Sequence, residues 1–111
     1  MKDKKPLSRA ALEIVANRFR ALSDPSRLEI LQCLFKVERS VQEICELTDM
    51  SQANVSKHLG VLSEQGIVQK RREGLFAYYS IADETVYQLC ELVCGSVSKR
   101  FGQMAKEVSG R

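Results

Sequence analysis

A short run of polar side chains has the types and spacing to form hydrogen bonds with the edges of nucleic-acid bases. The run contains Ser51, Gln52, Asn54, Ser56 and Lys57. Glutamine and asparagine pair in a bidentate manner with adenine, and lysine pairs with guanine or with a phosphate. Ser51 also predicts a helix N-cap, and a helix N-terminus favours an approaching phosphate. Since a polar helix face is more often only solvated, this run alone does not decide the function.

The densest basic cluster in the chain follows this run and consists of Lys70, Arg71 and Arg72. The residue pattern changes there from helical to alternating, which predicts a hairpin of two strands over residues 67–81. A basic hairpin beside such a helix would contact the sugar-phosphate backbone or the minor groove of DNA. Basic residues on an edge strand can also serve only to prevent aggregation. A polar helix followed by a basic hairpin is a more specific sign of DNA binding than either feature alone.

Capping residues and apolar spacing predict the elements that position these side chains. Residues 40–65 hold two short helices joined by a tight turn at 48–50, which is the arrangement of a helix-turn-helix. In the second of these helices, His58 lies between the inward and outward faces, which favours a structural hydrogen bond over a base contact. The predicted series is helices beginning after Ser8, Asp24, Ser40 and Ser51, a hairpin that turns at Glu73-Gly74, and a last helix after Asp83.

The first and last predicted helices, residues 8–22 and 83–108, each carry a long apolar stripe. A chain of 111 residues has a small core, which cannot easily absorb both stripes. Two copies of the chain could cover them by packing these helices together. We therefore expect a single domain, residues 1–111, that forms a homodimer through its first and last helices.

Composition is that of an ordinary folded protein, with 44% hydrophobic and 28% charged residues. The net charge of +3 gives weak support for a polyanionic partner. No apolar run is long enough for a membrane span, and the lysine-rich start is followed by an amphipathic segment and not by the apolar core of a signal peptide. We expect a cytoplasmic protein without a membrane partner, whose four cysteines are reduced thiols.

Three stretches of the chain resemble the ArsR/SmtB family: residues 19–31 (FRALSDPSRLEIL), 51–59 (SQANVSKHL) and 71–79 (RREGLFAYY). The resemblance implies a winged helix-turn-helix, mainly α with a small β-hairpin wing (α+β), in the order α-α-α-α-β-β-α. It also implies a homodimeric repressor, not an enzyme, that binds a palindromic operator in double-stranded DNA. The DNA contacts are then expected from Ser51, Gln52, Asn54, Ser56, Lys57, Lys70, Arg71 and Arg72.

Metal ions, metalloids or oxidants release members of such a family from DNA, but this chain departs from the family's known effector patterns. Where the arsenite pattern has Cys-Val-Cys, residues 40–42 are Ser-Val-Gln, and only Cys45 matches the third thiol. In the zinc pattern Asp83 matches one position, but Thr85 stands where a histidine is needed. We therefore expect no metal site of either kind.

The remaining effector candidates are Cys90 and Cys94, four residues apart and so on one face of the last helix. Two thiolates could bind a metalloid or a heavy metal such as mercury as an inducer, or react with an oxidant or a sulfur species. Both cysteines also fall in the apolar stripe, where a cysteine often only packs, so a regulator without any effector is the alternative. Cys33 and Cys45 are weaker candidates. No cofactor is expected to be required.

Two other functions compete with DNA-binding regulation. The first is a thiol enzyme with Cys90 and Cys94 as a redox pair, but the C-x-x-x-C spacing and the lack of a nearby histidine or aspartate argue against it. The second is a winged-helix module that binds proteins and not DNA. The basic hairpin and the uncrowded polar helix face count against this second alternative.

Overall fold

The computed structural model describes the backbone of residues 5–109 and the side chains as far as Gly102. Within this range the chain forms five helices and three strands. They are α1 (Arg9–Leu22), α2 (Pro25–Cys33), β1 (Arg39–Ser40), α3 (Val41–Thr48), α4 (Gln52–Glu64), β2 (Val68–Glu73), β3 (Phe76–Ile81) and α5 (Glu84–Ser109). The mainly α fold with a β-hairpin is thus confirmed. Residues 1–4 and 110–111 of the predicted domain, and the last side chains of its final helix, lie outside the described part.

Every helix begins after a side chain that accepts hydrogen bonds from the backbone N–H groups left free in the first turn. At α3 the cap is reciprocal, because Ser40 Oγ accepts from the Glu43 N–H while the Glu43 carboxylate accepts from the Ser40 N–H. At α2, Pro25 occupies the first helical position, where a missing N–H costs nothing. The capping residues are those predicted: Ser8, Asp24, Ser40, Ser51 and Asp83.

The sheet has three antiparallel strands in the order β1-β3-β2, one more than the sequence predicted. The additional strand β1 has two residues, Arg39 and Ser40, in the stretch that leads into α3. The hairpin turn also lies one residue later than predicted, because the last strand pair is Glu73 with Phe76. The two loop residues are therefore Gly74 and Leu75, and the positive φ of +60° at Gly74 suits the first position of a type II′ turn.

The core lies where α2, α3 and α4 meet the base of the hairpin and the start of α5. Its fully buried side chains are Ile30, Leu31, Leu34, Ile44, Val55, Leu59, Leu62 and Ile67. Three of these, Val55, Leu59 and Leu62, come from α4 and anchor that helix along one face. No helix within residues 5–109 has the length and apolar character needed to cross a membrane.

Apolar side chains on α1 and α5 stay exposed in the single chain. Phe19 is 53% exposed and lines two neighbouring grooves between the helices, each with Leu22 and Leu89. Exposed patches of this kind mark surfaces that another molecule covers. The exposed set is Leu12, Ile14, Val15 and Phe19 on α1, and Leu92, Val93, Val97 and Phe101 on α5.

Candidate nucleic-acid interface

The turn between α3 and α4 is fixed by local bonds of the chain. Asp49 closes α3 in the left-handed conformation, with a φ of +61°. The Thr48 hydroxyl donates to the Ile44 carbonyl at 2.7 Å and accepts from the Met50 N–H at 3.3 Å. Because α4 is also anchored in the core on its inner side, its outer face has a defined direction.

That outer face carries most of the side chains that the sequence predicts for base reading. Gln52, Asn54, Ser56 and Lys57 are all exposed, and none of their side chains packs into the core. Ser51 lies at the same end, where its Oγ accepts the Asn54 N–H at 3.1 Å and so caps the helix. The structure therefore brings the five predicted residues together at the N-terminal end of one rigid helix. A helix with small polar residues at this end can enter the major groove.

Gly60 lies one turn further along the same exposed face. A methyl group placed on Gly60 would have no atom within 4 Å other than those of its chain neighbours and of the adjacent backbone of α4. Close packing within the folded chain is therefore not the reason for a glycine at this position. Since glycine weakens a helix interior relative to alanine, its presence has a local cost in stability.

The hairpin separates its basic residues onto two faces, because side chains alternate along a strand. Lys70 and Arg72 lie on the face that begins with the buried Val68, and Arg71 lies on the opposite face. Arg71 is already bonded to the carboxylates of Glu38 and Glu73. Among the residues that the structure describes, the ion pairs include neither Lys70 nor Arg72.

A half-buried arginine, which no sequence pattern predicted, connects α4 with the end of α1. Arg27 Nε donates to the Ala21 carbonyl at 2.6 Å, and Nη2 donates to the Arg20 carbonyl at 3.3 Å. Its Nη1 lies 3.3 Å from His58 Nδ1, so His58 has the structural hydrogen bond that the sequence favoured. No local sequence pattern could identify a partner 31 residues away.

Asp24, the N-cap of α2, holds the backbone of Arg27 in place at the start of that helix. Its carboxylate accepts the N–H groups of Ser26 and Arg27, and the bond from Arg27 is the largest cause that lowers the pKa of Asp24. The charged form that caps α2 is therefore favoured near neutral pH.

Comparison with known proteins identifies the family. The model of the family "Bacterial regulatory protein, arsR family" matches residues 24–70, from the start of α2 into β2. A cadmium resistance transcriptional regulatory protein CadC homolog of Staphylococcus aureus is 39% identical over 89 residues, which cover 79% of this chain and 74% of that protein. The chain belongs to the ArsR family. This membership places it among regulatory proteins and not among enzymes, as the sequence predicted.

A further relative and a solved structure extend this comparison. A probable mercury resistance operon repressor of Streptomyces lividans is 41% identical over 80 residues, which are 72% of this chain but only 64% of that protein's length. The solution NMR structure of the homodimeric winged helix-turn-helix DNA-binding domain of a possible ArsR-family regulator from Mycobacterium bovis superposes with a TM-score of 0.79 at 35% identity. That match covers 93% of this chain and 95% of the M. bovis chain. The winged helix-turn-helix predicted from the sequence is therefore confirmed.

The thiols of this ArsR-family chain differ in their surroundings. Cys90 is 6% exposed, whereas Cys94 is exposed, and both line a groove between α1, α2 and α5. Burial is the main cause that raises the pKa of Cys90, and the neighbouring Cys94 raises it further. Cys33 and Cys45 are half-buried on α2 and α3, and burial raises the pKa of Cys33 as well. Within the described residues, no three histidine, cysteine, aspartate or glutamate side chains cluster as a metal site.

Proposed function

We propose that the chain is a homodimeric transcriptional repressor that binds a palindromic operator in double-stranded DNA. The observation that carries this proposal is α4, which is anchored by three fully buried side chains and leaves its polar outer face uncovered. A helix held in this way can enter the major groove without reorganising the protein. Operator binding requires access to genomic DNA, so we expect the protein to act in the cytoplasm.

The exposed apolar stripes on α1 and α5 support the homodimer. Their uncovered side chains form a surface that a second copy could cover by the same residues, as two-fold symmetry requires. The M. bovis relative is described as a homodimer, and it aligns along nearly all of this chain. A two-fold dimer would present two copies of α4 to half-sites about 34–36 Å apart, and such half-sites form a palindrome.

We assign different roles to the exposed polar residues from their chemistry. Gln52 and Asn54 have amide groups that suit adenine, and Ser56 can contact either a base or a phosphate. Ser51 keeps its hydroxyl proton for a phosphate while its oxygen caps α4. Lys57, Lys70 and Arg72 supply positive charge for the DNA backbone. Arg71 belongs to the same predicted set, but it is bonded to two carboxylates of its own chain.

Selection of bound duplexes from a random-sequence pool tests this function. The unaltered chain should enrich an inverted repeat, and Gln52→Ala should relax the preference at one position of each half-site. Lys57→Ala should weaken binding to all sequences and flatten the salt dependence, whose log–log slope is about −0.9 per phosphate contacted. Arg9→Ala is the matched control, because it removes one exposed positive charge at the start of α1. Normal binding by Gln52→Ala and Lys57→Ala would refute the assignment of α4.

We further propose that a thiophilic effector releases the protein from its operator by binding Cys90 and Cys94. Both thiols line one groove beside the exposed stripe of α1, where a bound ion would disturb the proposed dimer contact. The names of the S. lividans and S. aureus relatives refer to mercury and cadmium resistance. The alternative is a regulator with purely structural cysteines, which the burial of Cys90 in the core favours.

Operator release by arsenite, mercury, cadmium, zinc, peroxide and persulfide distinguishes these alternatives. An effector that acts through both Cys90 and Cys94 should release the unaltered chain from the operator. It should release neither the Cys90→Ser nor the Cys94→Ser variant. Cys45→Ser is the matched control, because Cys45 lies on α3 away from the groove. A response that persists in both α5 variants, or no response to any compound, would leave Cys90 and Cys94 a structural role only.

A further inference from the structure

Arg71 is bonded within its own chain through every nitrogen of its guanidinium group. Nε and Nη2 donate to the two carboxylate oxygens of Glu38 at 3.2 and 2.6 Å. Nη1 donates to the carboxylate of Glu73 at 2.9 Å. The guanidinium also lies over the ring of Tyr78, with 5.0 Å between its carbon and the ring centroid. Three of the five guanidinium N–H groups are therefore engaged, and two carboxylates offset the positive charge. Arg71 is thus a poorer partner for a phosphate than an arginine without such bonds.

The position of Glu38 gives this contact a structural meaning. Glu38 lies between α2 and β1, two residues before Ser40, which begins α3 with its reciprocal cap. Arg71 and Tyr78 are paired across β2 and β3 in the middle of the hairpin. The Arg71–Glu38 bonds therefore join the hairpin to the segment that enters the helix-turn-helix.

We propose that Arg71 is a positioning residue, which sets the angle of the hairpin to α4 through Glu38, while Lys70 and Arg72 carry the hairpin's phosphate contacts. This inference rests on the proposed DNA-binding function. It gives Arg71 a role other than the DNA contact predicted from the sequence, in which three adjacent basic residues look equivalent. Strand alternation and the Glu38 contact make the middle one different.

Electrostatics near DNA favour the same division of roles. Were Arg71 to turn to a phosphate, the carboxylates of Glu38 and Glu73 would lose their partner close to a polyanion. The hydrogen bonds from Arg71 lower the pKa of the Glu38 carboxyl, so this carboxylate stays charged under the conditions of binding. The free energy of such an exposed network is modest, but a change in hairpin angle acts on both copies of the proposed dimer.

Replacement by lysine separates positioning from a phosphate contact, because lysine keeps the charge but loses the planar fork. Arg71→Lys and Arg71→Ala should both weaken binding to a selected duplex about fivefold, with the slope of the salt dependence unchanged. Arg72→Ala should instead reduce that slope by about two units for a dimer, while Arg72→Lys should preserve it. If Arg71→Lys binds like the unaltered chain and Arg71→Ala reduces the slope, Arg71 is a phosphate contact and the inference is wrong.

A charge exchange provides the second test. Glu38→Arg combined with Arg71→Glu should bind the duplex more tightly than Arg71→Glu alone, because the bond between hairpin and entry segment is restored. The exchange of Arg9 and Glu13, an exposed pair on α1, is the matched control and should not change binding. Failure of the exchange to rescue any binding would count against a positioning role.

A measurement on the free protein keeps this inference separate from the proposed function. Nuclear magnetic resonance of the free chain should show an Arg71 Nε proton that exchanges more slowly than that of Arg9, and Glu38→Gln should remove the difference. Rapid exchange in the unaltered chain would overturn the inference, whether or not the protein binds DNA. Conversely, a chain that selects no duplex would refute the proposed function, while the exchange data would still decide whether the contact forms.

Discussion

Replacement of Phe19 by alanine should dissociate the proposed homodimer without unfolding the protein. Phe19 is 53% exposed in the single chain and lines both grooves between α1 and α5. With about 200 Å² for a phenylalanine, roughly 100 Å² remains for a second copy to cover. At about 25 cal/mol per Å², this area contributes roughly 2.5 kcal/mol. An alanine would still bury a small part of this area in the dimer, so the replacement reduces the favourable free energy of association by about 2 kcal/mol for each copy.

Two-fold symmetry doubles this loss, because both copies contribute Phe19 to the same interface. A loss of about 4 kcal/mol corresponds to a dimer dissociation constant raised about 1000-fold. Sedimentation equilibrium over a range of concentrations measures this constant, and circular dichroism shows whether the helices persist. Leu75→Ala is a matched control, because Leu75 is 98% exposed at the hairpin tip and its replacement removes an apolar side chain outside α1 and α5.

The result that refutes this reasoning is an unchanged dissociation constant for Phe19→Ala. It would mean that the exposed stripe of α1 is not the surface through which two copies associate. A monomeric unaltered chain at high concentration would have the same consequence. If the reasoning is correct, Phe19→Ala should also lose the preference for an inverted repeat, since one α4 then reads one half-site.

Three further predictions concern the contacts that support the site. Arg27→Lys should lower the free energy of unfolding by about 1–2 kcal/mol in urea titrations, because lysine cannot serve Ala21 and His58 together. An unchanged midpoint would contradict that role. Ser40→Ala should cost about 1 kcal/mol through loss of the α3 cap, measured in the same way. At about pH 8, iodoacetamide should modify Cys94 before Cys90, since burial raises the pKa of Cys90 and keeps its thiol protonated at a pH where an ordinary thiol begins to ionise. Peptide mass spectrometry would show equal rates if Cys90 were accessible.

Local signals in the sequence were sufficient to predict where the helices begin and which residues of α4 are exposed. Caps such as Ser40 and Ser51 act on backbone groups two or three residues away, so their effect can be read from neighbouring residues. The alternating pattern located the hairpin for a similar reason, although the turn itself lies one residue later. Gly74 fits a two-residue turn either as its second residue, after Glu73, or as its first residue, before Leu75. Only the pairing of Glu73 with Phe76 decides the register.

The features that the sequence did not predict depend on residues far apart in the chain. Strand β1 has two residues, and it exists because β3 offers a free edge about 40 residues later, at Tyr78 and Tyr79. Arg71 looked like its basic neighbours because its partner Glu38 is 33 residues away. Composition and periodicity carry no information about which distant carboxylate a given arginine meets.

The empty space beside Gly60 makes it possible to separate how well α4 folds from how well it fits DNA. An alanine at this position meets no atom beyond its chain neighbours and the adjacent helix backbone, so we expect it to raise the free energy of unfolding by roughly 0.5–1 kcal/mol. Any loss of operator affinity in that variant would then come from the added methyl group meeting the double helix. Residue 60 thus offers a probe, one carbon atom in size, of how closely the backbone of α4 approaches the floor of the groove.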